Sequence, residues 1–313
     1  MVVDGSGKCL SLLEDMRGAV GFRARRFPHP AEALTYASEH TADMILIDFE
    51  MSETDSLAFI REIRKLYRDI PILMITEKSE TPQLSRLEDE AFEFFVKPFA
   101  RSYFLQKLES LALLRQYIKF VSSYRLKDDE FGNHRVRVGH FAKIIASGLN
   151  WDKNDQDLIY YAAQLHDIGM NSIPDSILFK TESLTDDEMG LVKRHTSIGR
   201  IMLQAYSNPY LKMASVVSLT HHERFNGSGY PAGLSGPAIP VPGRITALAD
   251  SFDVLISARP YKPDWDFDKS LSFISDNSDI LFDPGMVKAF VANSDLIKGV
   301  CAHLADCRYE ALA

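Results

Sequence analysis

The stretch His221-His222-Glu223-Arg224-Phe225-Asn226-Gly227-Ser228-Gly229-Tyr230-Pro231 begins as the end of an apolar helix and finishes as a loop. The loop runs on to Pro242, and residues 226–242 hold four glycines and four prolines. That composition builds ordered turns and no regular element. On either side the apolar residues return at helical spacing, over Arg135–Leu149, Gln156–His166, Asp186–Tyr206, Leu211–Thr220 and Arg244–Ala258. Thr185 and Glu188 stand at capping-box spacing and mark a helix start. The second half of the chain therefore reads as all-α.

These helices carry polar residues where a plain core would not. The chain has nine histidines, and six lie between His134 and His222. His166-Asp167 follows an apolar run, His195 shares a helix with Ile198 and Ile201, and Asp250 interrupts Ile245–Ala249. Glu130 and His134 are four residues apart, on one helix face if the helix reaches back to Glu130. Buried imidazoles and carboxylates are costly unless paired or coordinated. A metal would satisfy them together. Any one of them alone is more simply a hydrogen-bonded core residue, and His221 and His222 diverge by about 100° if the helix continues through both.

The first half follows another rhythm. Short apolar runs end at Asp48 (Met44–Ile47), at Thr76 (Pro71–Thr76) and at Lys97-Pro98 (from Phe94), with amphipathic stretches at Ala31–Glu39 and Ser56–Tyr67. Strands alternating with helices imply a doubly wound α/β domain, a parallel sheet covered on both faces. The functional crevice of such a sheet lies at the carboxyl ends of its strands. Between the halves, Phe104, Leu108, Leu111, Ile118 and Val121 mark a helix over 101–128, with Leu105 and Leu114 widening the stripe. The organisation expected is an α/β domain at 1–100, a linking helix at 101–128 and a helical domain at 129–313.

The 313 residues suit two domains. A net charge of −8 disfavours a duplex nucleic-acid binder, which usually shows a basic surface. No segment approaches the ~20 apolar residues of a membrane span, and the N-terminus lacks the apolar core of a signal peptide. A cytoplasmic location, with no membrane partner, is the expectation.

Residues 1–100 resemble the response-regulator receiver domain. Asp48 stands at the phosphoacceptor position, with Thr76 as the switch hydroxyl and Lys97-Pro98 as the lysine-proline pair. Of the acidic pair after the first strand only Asp4 is present, because Gly5 replaces the second acid. The resemblance implies Mg²⁺ at Asp48 if the domain is competent, and a sensor kinase or other signalling protein as partner.

Residues 128–292 resemble the HD-GYP family of the HD phosphohydrolase superfamily, an HD-type helical bundle. The motifs are GNH (132–134), LHDIG (165–169), HTSIG (195–199), HHERFNGSGYPAGLSG (221–236), ADSFD (249–253) and RPYK (259–262). The resemblance implies a cyclic-di-GMP phosphodiesterase with a two- or three-metal centre. His166, Asp167, His195, His221, His222 and Asp250 match the core ligands, and Glu130 and His134 match the extra ligands of a trinuclear subgroup. An imidazole and carboxylate set without thiolate suits iron or manganese, with zinc as an alternative. A hydroxide bridging the metals, with Asp167 as the bridging carboxylate, would attack phosphorus and yield pGpG or GMP.

Tyr230, Asp253, Arg259 and Lys262 match positions that contact the dinucleotide, with Asp253 accepting from a guanine edge. Met170 stands where the family usually has a lysine facing phosphate, and it removes ~1–3 kcal/mol of charge-assisted bonding. The alternatives to efficient hydrolysis are a weakly active or inactive cyclic-di-GMP-binding effector and a hydrolase of another cyclic dinucleotide. The helix at 101–128 also offers a seam for a homodimer.

Overall fold

The computed structural model describes residues 1–5, 7, 13, 23–48, 53–67, 70–77, 93–123, 133–180, 182–257 and 265–304. Glu130, Arg259 and Lys262 lie outside the described residues. The chain divides into two compact units, 1–123 and 124–313.

The first unit is built on five parallel strands: β1 (Val2–Val3), β2 (Arg26–Phe27), β3 (Ile45–Asp48), β4 (Ile72–Thr76) and β5 (Glu93–Val96). They lie in the order β2-β1-β3-β4-β5. Every residue of β3 and β4 is buried, as a parallel sheet covered on both faces requires. Helices α1 (Pro30–Glu39) and α2 (Glu53–Leu66) connect strands. Ala33, Ala37, Phe59, Ile60 and Ile63 join Val3, Ile45, Ile47 and Ile72 in one core. The doubly wound expectation holds.

Of the helix expected at 101–128, Arg101–Ser123 (α3) is helical and belongs to the first unit, and 124–128 lie outside the described residues. Phe104, Leu108, Leu111 and Leu114 are buried as expected, but further along Tyr117 and Phe120 are buried instead of Ile118 and Val121. Phe104 meets Phe95 edge-on at 4.8 Å, and the Lys119 ammonium pairs with Asp43. This apolar face is buried within the chain.

Among the described residues the regular elements of the second unit are helices: α4 (His134–Gly148), α5 (Lys153–Ala163), α6 (Asp175–Leu178), α7 (Asp186–Lys193), α8 (His195–Gln204), α9 (Pro209–Thr220), α10 (Val241–Ile256), α11 (Phe267–Asp276), α12 (Pro284–Ala292) and α13 (Ser294–His303). Side-chain caps mark several starts. Asp152, Asn208, Asp266 and Asp283 each accept backbone N–H groups, and Thr185 with Glu188 closes the expected capping box. Phe141, Phe252 and Phe290 form the aromatic centre, with Phe252 and Phe290 at 4.9 Å and Phe141 5.6 Å from Phe252.

Two sequence expectations change. The helix read as Asp186–Tyr206 is two helices, α7 and α8, joined at Arg194. The loop to Pro242 ends two residues early, because Pro242 sits in the first turn of α10, where its missing N–H costs nothing.

Candidate metal centre

Two groups of side chains converge among the described residues, and within each the ligand atoms lie within 4.8 Å of one another. One is Asp167, His195, His221 and His222; the other is His134, His166 and Asp250. These are seven of the eight residues expected as ligands, and the eighth, Glu130, lies outside the described residues.

Helix ends deliver them. His166 and Asp167 sit between α5 and a short 3₁₀ turn at Ile168–Ser172. His195 opens α8. His221 caps α9 and the chain turns at His222, so the two adjacent rings lie 4.0 Å apart instead of diverging as they would inside a helix. His134 opens α4, and Asp250 lies on α10. Gly169 holds the arrangement close: a Cβ there would collide with the His195 carbonyl.

The histidines are aimed by their Nδ1 atoms. His166 Nδ1 lies 2.8 Å from the Ala163 carbonyl, His195 Nδ1 2.7 Å from that of Val192, and His221 Nδ1 3.1 Å from that of Val217. A carbonyl can only accept, so each Nδ1 carries the hydrogen and each Nε2 turns a lone pair to the centre. His134 differs, because its Nδ1 lies 2.8 Å from Asp253 Oδ2.

Asp167 stands between the groups. Its Oδ1 is 3.1 Å from His195 Nε2 and 3.4 Å from His221 Nε2, and its Oδ2 is 3.4 Å from His166 Nε2. Oδ1 is buried and makes no hydrogen bond of good geometry. Burial raises this carboxyl, and the charge of His166 with hydrogen bonds from His166, His195 and His221, where those rings carry a proton, lowers it well below the usual range. Burial also lowers His221 and, further, His222, where His221 adds to the effect. A carboxylate set among imidazole Nε2 atoms is the donor set of a cation site, and the residues present fit divalent metal ions.

Tyr230 lies beside the centre, its ring 4.7 Å from that of His222 and with the Lys193 ammonium 5.3 Å from its centroid. Burial, then the charges of Asp167 and Asp250, push its phenol up, so the O–H stays protonated and able to donate. Glu223 holds the loop that carries it. The buried carboxylate accepts from Ala232 N at 2.8 Å and Leu234 N at 3.0 Å. Sequence reading missed this role, although Glu223 directly follows the histidine pair. Met170 sits half-buried in the 3₁₀ turn, its N–H donating to the Asp167 carbonyl at 2.8 Å.

One expected substrate contact is corrected. Asp253 is fully buried, with Arg137 Nε on Oδ1 at 2.5 Å and Arg137 Nη2, His134 Nδ1 and Ser257 Oγ around Oδ2. Enclosed by these partners and without exposed surface, it is out of reach of a guanine edge. No sequence signal pointed to Arg137.

In the first unit, Asp4, Asp48 and Thr76 are buried at the carboxyl edge of the sheet, and Lys97 Nζ lies 3.8 Å from Asp48 Oδ2. Arg26 donates to the carbonyls of Asp4 (2.9 Å) and Gly5 (2.8 Å) beside them.

No helix among the described residues is long and apolar enough to cross a membrane. Residues 124–286 match the HD domain family, and residues 1–109 match the response regulator receiver domain. The "Cyclic di-GMP phosphodiesterase response regulator RpfG" of Xanthomonas campestris is 34% identical over 88% of this chain and 82% of its own length. A "Cyclic di-GMP phosphodiesterase" of Thermotoga maritima is 38% identical over 68% of this chain and 55% of its own. The "3'3'-cGAMP-specific phosphodiesterase 2" of Vibrio cholerae is 29% identical over 72% and 44%. The chain thus spans most of the first relative but about half or less of the other two. It belongs to the HD domain family, in the HD-GYP branch to which its motifs assign it, and joins that domain to an N-terminal receiver domain.

Proposed function

We propose that this protein is a metal-dependent phosphodiesterase that hydrolyses cyclic-di-GMP to pGpG or GMP, under the control of its receiver domain. The observation that carries the reading is Asp167, with one carboxylate oxygen toward each of two ligand groups. Relatives named as cyclic di-GMP phosphodiesterases supply the substrate class. Two or three iron or manganese ions would be held by His166, Asp167, His195, His221, His222 and Asp250, with His134 and Glu130. Bound there, they supply Lewis acidity to a water and to the phosphate oxygens.

The chain's own residues set up the reaction. The Nδ1–H bonds to Ala163, Val192 and Val217 keep three imidazoles in the ligating tautomer. Tyr230 donates its O–H to the substrate at the edge of the centre. Arg259 and Lys262 neutralise phosphate. Asp48, with Asp4, Thr76 and Lys97, accepts a phosphoryl group from a sensor kinase, with Mg²⁺ to offset its charge. The protein works in the cytoplasm, and a homodimer would form through the exposed side of α3.

Met170 favours a second reading, a cyclic-di-GMP effector that binds and cuts slowly. The relative specific for 3'3'-cGAMP adds another cyclic dinucleotide as substrate. The test is turnover of cyclic-di-GMP and 3'3'-cGAMP by protein purified anaerobically with Mn²⁺. Turnover of cyclic-di-GMP above an Asp167→Ala control supports the proposal. Tight binding with no product supports the effector, and no turnover above the control overturns the enzyme.

A further inference from the structure

His166, His195 and His221 each lean on a carbonyl of the helical turn before them. His134 is the first residue of α4 and has no such turn among the described residues. Its Nδ1 is met by a carboxylate, Asp253 Oδ2, at 2.8 Å. We propose that Asp253 and Arg137 are positioning residues for His134, and that they tie the His134–His166–Asp250 site to the end of the last helix. The inference rests on the reading that this group holds a metal.

Two helices supply matched pairs. His134 and Arg137 are three residues apart on α4, and Asp250 and Asp253 are three apart on α10, so each pair shares a helix face. The first member of each pair reaches the centre: His134 Nε2 lies 3.5 Å from Asp250 Oδ1. The second members lock together, with Arg137 Nε 2.5 Å from Asp253 Oδ1 and Nη2 2.9 Å from Oδ2. Both are almost wholly buried. Arg137 Nη2 also donates to Ser257 Oγ at 2.8 Å, and Nη1 donates to the Leu304 carbonyl at 3.0 Å. Leu304 caps α13. The guanidinium therefore joins the last helix, α10 and the carboxylate that orients His134.

A carboxylate can only accept from Nδ1–H, which leaves the Nε2 lone pair for a metal. An amide in its place can present N–H to Nδ1. The ring hydrogen then moves to Nε2 and blocks the site. Removing such an outer partner weakens a metal site by roughly ten- to a hundredfold.

The experiment is Mn²⁺ binding to the full chain, read as ions per chain and as dissociation constants, with circular dichroism in chelator to confirm the fold. Asp253→Asn is expected to weaken one Mn²⁺ site by roughly ten- to a hundredfold and leave the others unchanged. His134→Ala is expected to weaken the same site, and the double variant to lose nothing further, because Asp253 acts through His134. Arg137→Lys, which keeps the buried charge but not the fork, serves in the same cycle if Asp253→Asn does not fold. Equal weakening at every site, unchanged binding, or a further loss in the double variant would overturn the inference. Metal uptake is measured without substrate, so a chain that cuts no dinucleotide can still bear it out. A wild-type chain that takes up no Mn²⁺ would overturn the reading of the site itself.

Discussion

Asp167 Oδ1 lies 3.1 Å from His195 Nε2, while the other oxygen of the same carboxylate faces His166. One side chain therefore reaches from its own group to His166 of the other, and its loss should be felt in both. Asp167→Ala is predicted to release metal from the two groups together and to abolish hydrolysis. His195→Ala should deplete only the group it shares with His221 and His222. Elemental analysis of anaerobically purified protein checks this, and an Asp167→Ala chain with full metal content would sink the bridging role.

His221 and His222 give the pH dependence its sign. Burial holds both imidazoles below their usual value. In the metal-free folded chain they stay neutral where an unfolded chain would protonate them, at about pH 6.5 and below. The unfolded state then binds more protons, so stability rises with pH up to about 6.5 and falls as pH drops through the window below it. Thermal melts in chelator between about pH 7.5 and 5.5 should show a falling Tm on acidification. A flat profile would mean that these imidazoles are not held neutral.

What the sequence made legible follows from how local each signal is. The strand ends at Asp48 and Thr76, the Thr185 cap and the histidine pair all sit in short patterns that name their own geometry. The break at Arg194 was not legible, because apolar spacing continues across it. Asp253 was misread for a related reason. Its spacing from Asp250 places it on the right face of α10, but the partner that occupies it, Arg137, comes from a helix more than a hundred residues earlier. Glu223 lies within the motif, yet its role depends on backbone amides at Ala232 and Leu234 that only a folded loop brings to it.

Gly169 is where packing and the metal centre meet. Its missing Cβ leaves room for the His195 backbone, so the 3₁₀ turn after Asp167 can lie against the start of α8. Gly169→Ala forces the two segments apart, and overpacking of this kind costs about 1–3 kcal/mol. Lower thermal stability should come with weaker metal binding at the Asp167–His195 group, while the His134 group is less affected. A variant with wild-type Tm and wild-type metal affinity would show that the contact is not tight.

Met170 tests the anionic side of the pocket. It lies three residues after Asp167, and its own N–H folds back on the Asp167 carbonyl. A lysine here would extend a cation toward the phosphate held at the centre. Met170→Lys is predicted to improve cyclic-di-GMP affinity or kcat/KM by about fivefold to a hundredfold, the ~1–3 kcal/mol of a charge-assisted contact. Steady-state kinetics on Mn²⁺-loaded protein measures it. No change in either quantity would place position 170 away from phosphate.

The receiver domain offers the last test. Asp4 Oδ1 accepts the Gly7 N–H at 2.9 Å, and Arg26 binds the Asp4 and Gly5 carbonyls. A divalent cation beside Asp48 thus meets one acidic side chain after β1 where the receiver pattern has two, and loses part of the charge that would hold it. Acetyl phosphate with Mg²⁺ should label the wild-type chain slowly. Gly5→Asp should speed the labelling by restoring the pair, and Asp48→Asn should abolish it without changing basal hydrolysis. Intact-protein mass spectrometry reads the phosphoryl adduct. A label that survives Asp48→Asn, or a Gly5→Asp chain no faster than wild type, would refute the assignment of Asp48 as acceptor or of Gly5 as the weak point of its metal site.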